Sequence, residues 1–173
     1  MSIKKIDNNY SWINSYLLDA LFWSRRSHDP QTQCGCVFAA KDNTPISHGY
    51  NGVIRDVDKD KLPLTRPEKY SYMQHSEANA IYNAVRQGKS TLDATAYVTG
   101  KPCIACLQAM YQCGISTIYY TDFNVPKMVE AEQEKFNYLI SLMYPKLEVF
   151  YVPKTVLNAD ALKECLSIME KNK

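Results

Sequence analysis

Apolar positions along this chain fall into alternating helical and strand-like blocks. Between Tyr10 and Arg26, residues Trp12, Ile13, Tyr16, Leu17, Ala20, Leu21 and Trp23 recur at the spacing of one helix face, and Asn9 or Ser11 can cap its start. Cys34 to Ala40 is short, apolar and bounded by polar turns, which predicts a strand. Ile46 to Tyr50 reads as its hairpin partner, joined through Lys41-Asp42-Asn43-Thr44-Pro45. From Asn51 to Ser71 the period is lost among charges, Gly52, Pro63 and Pro67. A loop of ~20 residues is long for a compact domain, and such loops usually carry function or move. The pattern then resumes as a helix from His75 to Gln87 closed by Gly88, and a strand from Ala94 to Thr99. A helix from Pro102 to Cys113 follows, with proline in its first turn and Gly114 after its end. Ile115 to Thr121 is a strand, Pro126 to Met143 a long helix, Leu147 to Val152 a strand and Asn158 to Lys171 a closing helix. Strand and helix alternation in the second half predicts parallel pairing through right-handed crossovers. The fold class is therefore α/β, a three-layer α/β/α sandwich around a mixed five-stranded sheet, built as one domain over residues 1–173.

Composition narrows the setting. With 46% hydrophobic and 22% charged residues in 173, the chain can bury one ordinary core. A formal net charge of +2 gives no general basic field for a polynucleotide. No apolar run approaches the ~18 residues of a membrane span. Lys4 and Lys5 are not followed by the apolar stretch of a signal peptide, so a cytoplasmic location is expected. The six cysteines then read as thiols and metal ligands rather than a disulfide framework. Cys34, Cys36, Cys113 and Cys165 lie among apolar neighbours and are expected to be buried, idle thiols.

The chemistry is concentrated in two short stretches, His75-Ser76-Glu77 and Pro102-Cys103-Ile104-Ala105-Cys106. His75, Cys103 and Cys106 offer three zinc ligands, and three protein ligands leave a fourth position open for water, the layout of a catalytic site. Glu77 is a spare carboxylate that can carry protons. Cys103 and Cys106 are three residues apart on one helical turn, at a helix start that favours thiolates. His75 opens its own helix. Glu77 follows two residues later, roughly 200° around an ideal helix, so the two can serve one metal only if it lies off the helix end. A Cys-x-x-Cys alone would equally suit a redox pair or half of a structural zinc site. A non-catalytic zinc module would want a fourth protein ligand and have no use for Glu77, and a redox pair would leave His75 and Pro102 incidental.

His-x-Glu followed by Pro-Cys-x-x-Cys is the known signature of zinc nucleobase deaminases. From about Tyr10 to Phe123 the chain resembles the deoxycytidylate (dCMP) deaminases, within the cytidine deaminase fold superfamily. Arg26-Ser27-His28-Asp29-Pro30-Gln31-Thr32-Gln33-Cys34-Gly35 is similar to that family's Arg-Ser-Lys-Asp-Pro…Val-Gly stretch. Gly49-Tyr50-Asn51-Gly52, Asn79-Ala80-Ile81 and Tyr97-Val98-Thr99 also match. The chain departs from the pattern at Ser76, where the family has alanine; serine is small enough that no loss is expected. It also has Val53-Ile54-Arg55 where a proline is common, and His28 in place of a lysine.

The resemblance implies zinc-dependent hydrolytic deamination of dCMP to dUMP and ammonia, with Glu77 taking a proton from water and passing it to ring N3 and then to the leaving amine. It implies that Asn51 binds the deoxyribose, although an Asn-Gly pair is also an ordinary turn. Arg26 is a candidate for the 5′-phosphate through a bidentate guanidinium, or a solvated residue at a helix end. Phe123 is a candidate for stacking on the base, or for core packing. Family members form hexamers and are activated by dCTP and inhibited by dTTP, with Mg2+ on the effector phosphates. Carried onto this chain, that points to Tyr50, Gly52 and Arg55, since Gly52 lets the backbone approach a phosphate and Arg55 can pair with one. A simple lid would explain the same loop. Some viral members hold a second zinc, for which His28, Cys34, Cys36 and His48 are the conceivable ligands; such a site is not expected. Rival substrates are free cytidine and adenosine in tRNA, and the weak net charge argues against a polynucleotide. The implied setting is pyrimidine nucleotide biosynthesis, with dUMP feeding thymidylate, in a cytoplasm that is a host's if the source is viral.

Overall fold

The structure, a computed structural model, describes residues 11–123, 129–160, 162, 163 and 167. It begins with α1 (Trp12–Ser24), capped by Ser11, whose hydroxyl accepts the Asn14 N–H at 3.2 Å. β1 (Gly35–Ala39) and β2 (Pro45–Tyr50) form the expected hairpin. After β3 (Gly52–Val53), two short 3₁₀ turns and β4 (Met73–Gln74) come α2 (Ser76–Arg86), β5 (Thr95–Val98), α3 (Ile104–Gln112), β6 (Thr117–Tyr120), α4 (Glu130–Met143) and β7 (Glu148–Tyr151). The main sheet has five strands in the order β2-β1-β5-β6-β7. β1 is antiparallel to β2 and β5, whereas β5, β6 and β7 run parallel, so the sheet is mixed as the alternation predicted.

Strand residues alternate between two cores. Val37, Ala39, Tyr97 and Tyr119 point toward Tyr16, Leu17 and Ala20 of α1. Cys36, Phe38, Ala96, Val98, Ile118 and Tyr120 point toward α2, α3 and α4. Both faces are covered, which is why these strands read as continuous apolar runs. The segment expected as a closing helix lies largely outside the described residues, as do Cys165 and the expected helix start at Pro126. Asn158 is anchored on α1 twice, through Asn14 Nδ2 donating to its carbonyl at 2.9 Å and its own N–H donating to Asn14 Oδ1 at 2.8 Å.

Two expectations need correction. The stretch from Asn51 to Ser71 is not structureless: β3 pairs antiparallel with β4, and 3₁₀ turns form at Lys59–Lys61 and Glu68–Ser71. A two-stranded ribbon of two residues each leaves no hydrophobic period to read. Pro102 is not in the first turn of α3 but just before its N-cap, Cys103. Its fixed φ therefore shapes the approach to the helix rather than the helix itself.

Candidate active site

Two helix starts meet at the site, and packing fixes both. A Cβ at Gly49 would lie 2.1 Å from the Ser76 carbonyl oxygen and 2.4 Å from the Ala80 nitrogen, so only glycine lets the first turn of α2 lie against β2. Ser47 Oγ donates to the Ala80 carbonyl at 2.8 Å, Asn79 Nδ2 to the Tyr50 carbonyl at 2.8 Å and Asn83 Nδ2 to the His48 carbonyl at 2.7 Å. These bonds hold α2 along β2 and set the position of its N-cap, His75. Across the cavity, Cys103 caps α3 by accepting the Cys106 N–H on its own sulfur at 3.4 Å.

His75 Nδ1 lies 3.5 Å from Cys103 Sγ and 3.5 Å from Cys106 Sγ. All three ligand atoms fall within 4.8 Å of one another. A tetrahedral ion with Zn–S of about 2.3 Å and Zn–N of about 2.0–2.1 Å places sulfur and nitrogen about 3.5 Å apart, so both nitrogen–sulfur distances here match a zinc site. His75 is extended at φ −73° and ψ 157°, outside the helix, which removes the angular conflict that two helical positions would have imposed on His75 and Glu77. Burial grades from exposed His75 through intermediate Cys103 to buried Cys106, so the metal position opens on one side.

The local electrostatics are those of a shared proton. A hydrogen bond from the Cys106 thiol, then bonds from His75 and the Cys106 N–H, lower Cys103 to about 4. The same thiol pairing, with burial, holds Cys106 far above its ordinary value. Ionising both sulfurs thus calls for a cation. The Cys103 hydrogen bond raises His75 above 6.5. Burial raises the carboxyl of Glu77, which is 5% exposed, despite hydrogen bonds from its own N–H and from Ser76 Oγ at 2.9 Å.

His75, Cys103 and Glu77 border a cavity of about 250 Å³. Asn51 stands on its wall, buried and engaged: Oδ1 accepts the Cys34 N–H at 2.7 Å, and Nδ2 donates to the Thr32 carbonyl at 2.8 Å and to Asp29 Oδ2 at 3.3 Å. Of the two lone pairs of Oδ1, the Cys34 N–H engages one. Arg26 is not at this cavity. It is exposed in the turn after α1, its N–H donating to the Trp23 carbonyl. Phe123 does not line it either; its N–H donates to the Thr99 carbonyl at 3.1 Å and its ring is half-buried past β6. Tyr50 and Arg55 line a second cavity of about 480 Å³, and Gly52 backs it, tight against His28.

Sequence reasoning missed several residues of the first cavity. Arg66 and Lys101 line it, Arg66 donating to Thr32 Oγ1 at 2.7 Å and to the Tyr70 hydroxyl at 2.8 Å. Lys69 also lines it, buried against Asp29. Arg66 and Lys69 sit in the aperiodic stretch, where no pattern marked them. Cys34 also lines the cavity, and burial with the nearby Glu77 charge pushes its thiol up to about 12, so it stays protonated there. The conceivable second zinc set does not converge. Cys36 lies in the core under α2 and α3, while His48 Nε2 pairs with Asp19 Oδ2 at 2.9 Å beside the Trp23 ring on the α1 side. Among the described residues, His75, Cys103 and Cys106 form the one metal-capable cluster, and no helix is long and apolar enough to cross a membrane.

The chain is similar to known proteins. Residues 10–122 match the family described as the cytidine and deoxycytidylate deaminase zinc-binding region. The probable deoxycytidylate deaminase of Caenorhabditis elegans is 40% identical over 111 residues, which cover 62% of this chain and 55% of that protein. The deoxycytidylate deaminase of Homo sapiens is 30% identical over 126 residues, covering 69% of this chain and 70% of that one. The chain thus aligns with little more than half the length of the worm relative. Among solved structures, the dCMP deaminase of cyanophage S-TIM5 in complex with dCMP and dUMP shares the fold, with a TM-score of 0.61 at 21% identity over 80% of this chain and 94% of that one. With a family match across most of its length and the ligand residues in place, this chain belongs to the cytidine and deoxycytidylate deaminase zinc-binding family.

Proposed function

We propose that the chain catalyses the hydrolytic deamination of dCMP to dUMP and ammonia. The observation that carries this reading is the buried Glu77 carboxylate at the cavity beside a His-Cys-Cys set of zinc dimensions. His75 Nδ1, Cys103 Sγ and Cys106 Sγ would hold the ion, which supplies a water acidic enough to act near neutral pH. Glu77 would take one proton from water and deliver it to N3 as the water oxygen bonds to C4, then take the second proton from that oxygen and pass it to the amine, whose bond to C4 breaks to release ammonia. A carboxyl raised by burial suits both tasks, because it holds an accepted proton more readily than an exposed carboxylate before returning it. Asn51 uses its remaining lone pair to accept a sugar hydroxyl. Arg66, at the cavity rim, and Lys101 replace Arg26 as the cations for the 5′-phosphate.

The second cavity supports regulation by a nucleotide, with dCTP as activator and dTTP as inhibitor and Mg2+ on the phosphates. Arg55 and Arg86 line it with Tyr50, and the buried Nδ1 of His28 at its wall has no hydrogen-bond partner among the described residues. A homo-oligomer, a hexamer as in the family, and a cytoplasmic location complete the proposal. Ammonia release from dCMP, compared with cytidine and dCTP, tests the substrate. dCMP should be preferred, and preference for cytidine would redirect the assignment to a nucleoside deaminase. Adding dCTP or dTTP to the dCMP assay tests regulation; no response to either would remove the effector site.

A further inference from the structure

Ser76 lies between the metal ligand His75 and the carboxylate of Glu77, and its hydroxyl is not idle. The side chain is 0% exposed, and Oγ donates to Glu77 Oε2 at 2.9 Å. Among the described residues it is the one side chain that hydrogen-bonds this carboxylate. Its own backbone is held firmly, since the Ser76 carbonyl abuts Gly49 of β2. The hydroxyl is thus held in place beside the carboxylate. Ser76 borders the cavity, and the hydrogen bond its hydroxyl donates goes to Glu77.

We propose that Ser76 is a positioning residue for the reaction: its hydroxyl pins Glu77 Oε2 and so sets the direction in which the carboxylate faces for proton transfer. A side chain that must meet the same water, ring nitrogen and amine in succession loses rate whenever it samples other rotamers. This inference rests on Glu77 as the proton carrier, and the test separates the two.

The test is Ser76→Ala in the zinc-loaded enzyme. The S76A variant should bind one zinc per chain and keep KM for dCMP within about twofold, while kcat falls about tenfold or more, the effect of one hydrogen bond to a charged group. On a Glu77→Gln background the same substitution should change the residual rate little, because coupled residues are not additive. An unchanged kcat, an equal fall on both backgrounds, or loss of zinc or fold on Ser76→Ala would overturn the proposal and leave Glu77 in its role. Normal turnover by Glu77→Gln would instead sink the carboxylate reading itself, and Ser76 with it.

Discussion

Lys69 Nζ lies 2.6 Å from Asp29 Oδ2, with the two side chains only 3% and 4% exposed. Asp29 also accepts the Gln31 and Thr32 N–H groups on Oδ1, at 2.8 and 3.1 Å, and Asn51 Nδ2 on Oδ2. One carboxylate therefore ties together the segment before β1, the end of β2 and the 3₁₀ turn at Glu68–Ser71. These three form one wall of the cavity.

Breaking that pair should be costly. Lys69→Met leaves a buried Asp29 charge without its cation, and such losses run to about 3–5 kcal/mol. Urea unfolding of the zinc-loaded protein measures it. A change below about 1 kcal/mol, the range of surface pairs, would mean the pair is effectively solvated.

Arg66 and Arg26 should separate cleanly in kinetics. Arg66→Ala is expected to raise KM for dCMP by about tenfold or more, as for a charged hydrogen bond to phosphate, and to leave cytidine unaffected. Arg26→Ala should change neither. The reverse pattern in initial-rate measurements would restore Arg26 and remove Arg66 from the phosphate.

Thiol reactivity follows the sulfur environments. In chelator-treated protein at about pH 7, Cys103, lowered to about 4, is a thiolate and should react with iodoacetamide first. Cys34, pushed up to about 12, should remain unlabelled although it lines the same cavity. Peptide mapping after brief labelling decides it, and faster modification of Cys34 would contradict the assigned environments.

Glu77 should make stability depend on pH in a definite direction. Burial raises its carboxyl in the folded state, whereas the unfolded chain holds it at ~4.3. Below that unfolded value the group is protonated in both states and adds no penalty. As pH rises the unfolded state ionises first, and stability is lost until the pH passes the folded value. Metal-free Glu77→Gln should therefore melt higher than the parent at about pH 7–8, with the gap closing toward about pH 4. A gap that widened on acidification would reverse the sign assigned to Glu77.

The frame and the metal ligands were legible because each leaves a local trace. Sheet and helices show as periods, and His75, Cys103 and Cys106 show as residue types at fixed spacing beside helix starts. The substrate cavity was less legible because its wall is made by tertiary closure. Lys69 reaches Asp29 across 40 positions, and Arg66 reaches Thr32 across 34. Arg26, by contrast, drew notice as part of a motif whose order is served by Asp29, since the chain turns outward at Arg26 and back inward three residues later. Gly49 and Asn79 were noticed as parts of a resemblance; packing and hydrogen bonding of α2 against β2 give their physical reason.

The central claim is that Glu77 carries protons at a zinc held by His75, Cys103 and Cys106. Zinc content and dCMP turnover of Glu77→Gln, measured on one preparation, test it most directly. One zinc per chain with kcat reduced by at least about a hundredfold is the expected result, the usual contribution of a general acid–base being about 10²–10⁴. Turnover near the parent rate at full zinc occupancy would contradict it.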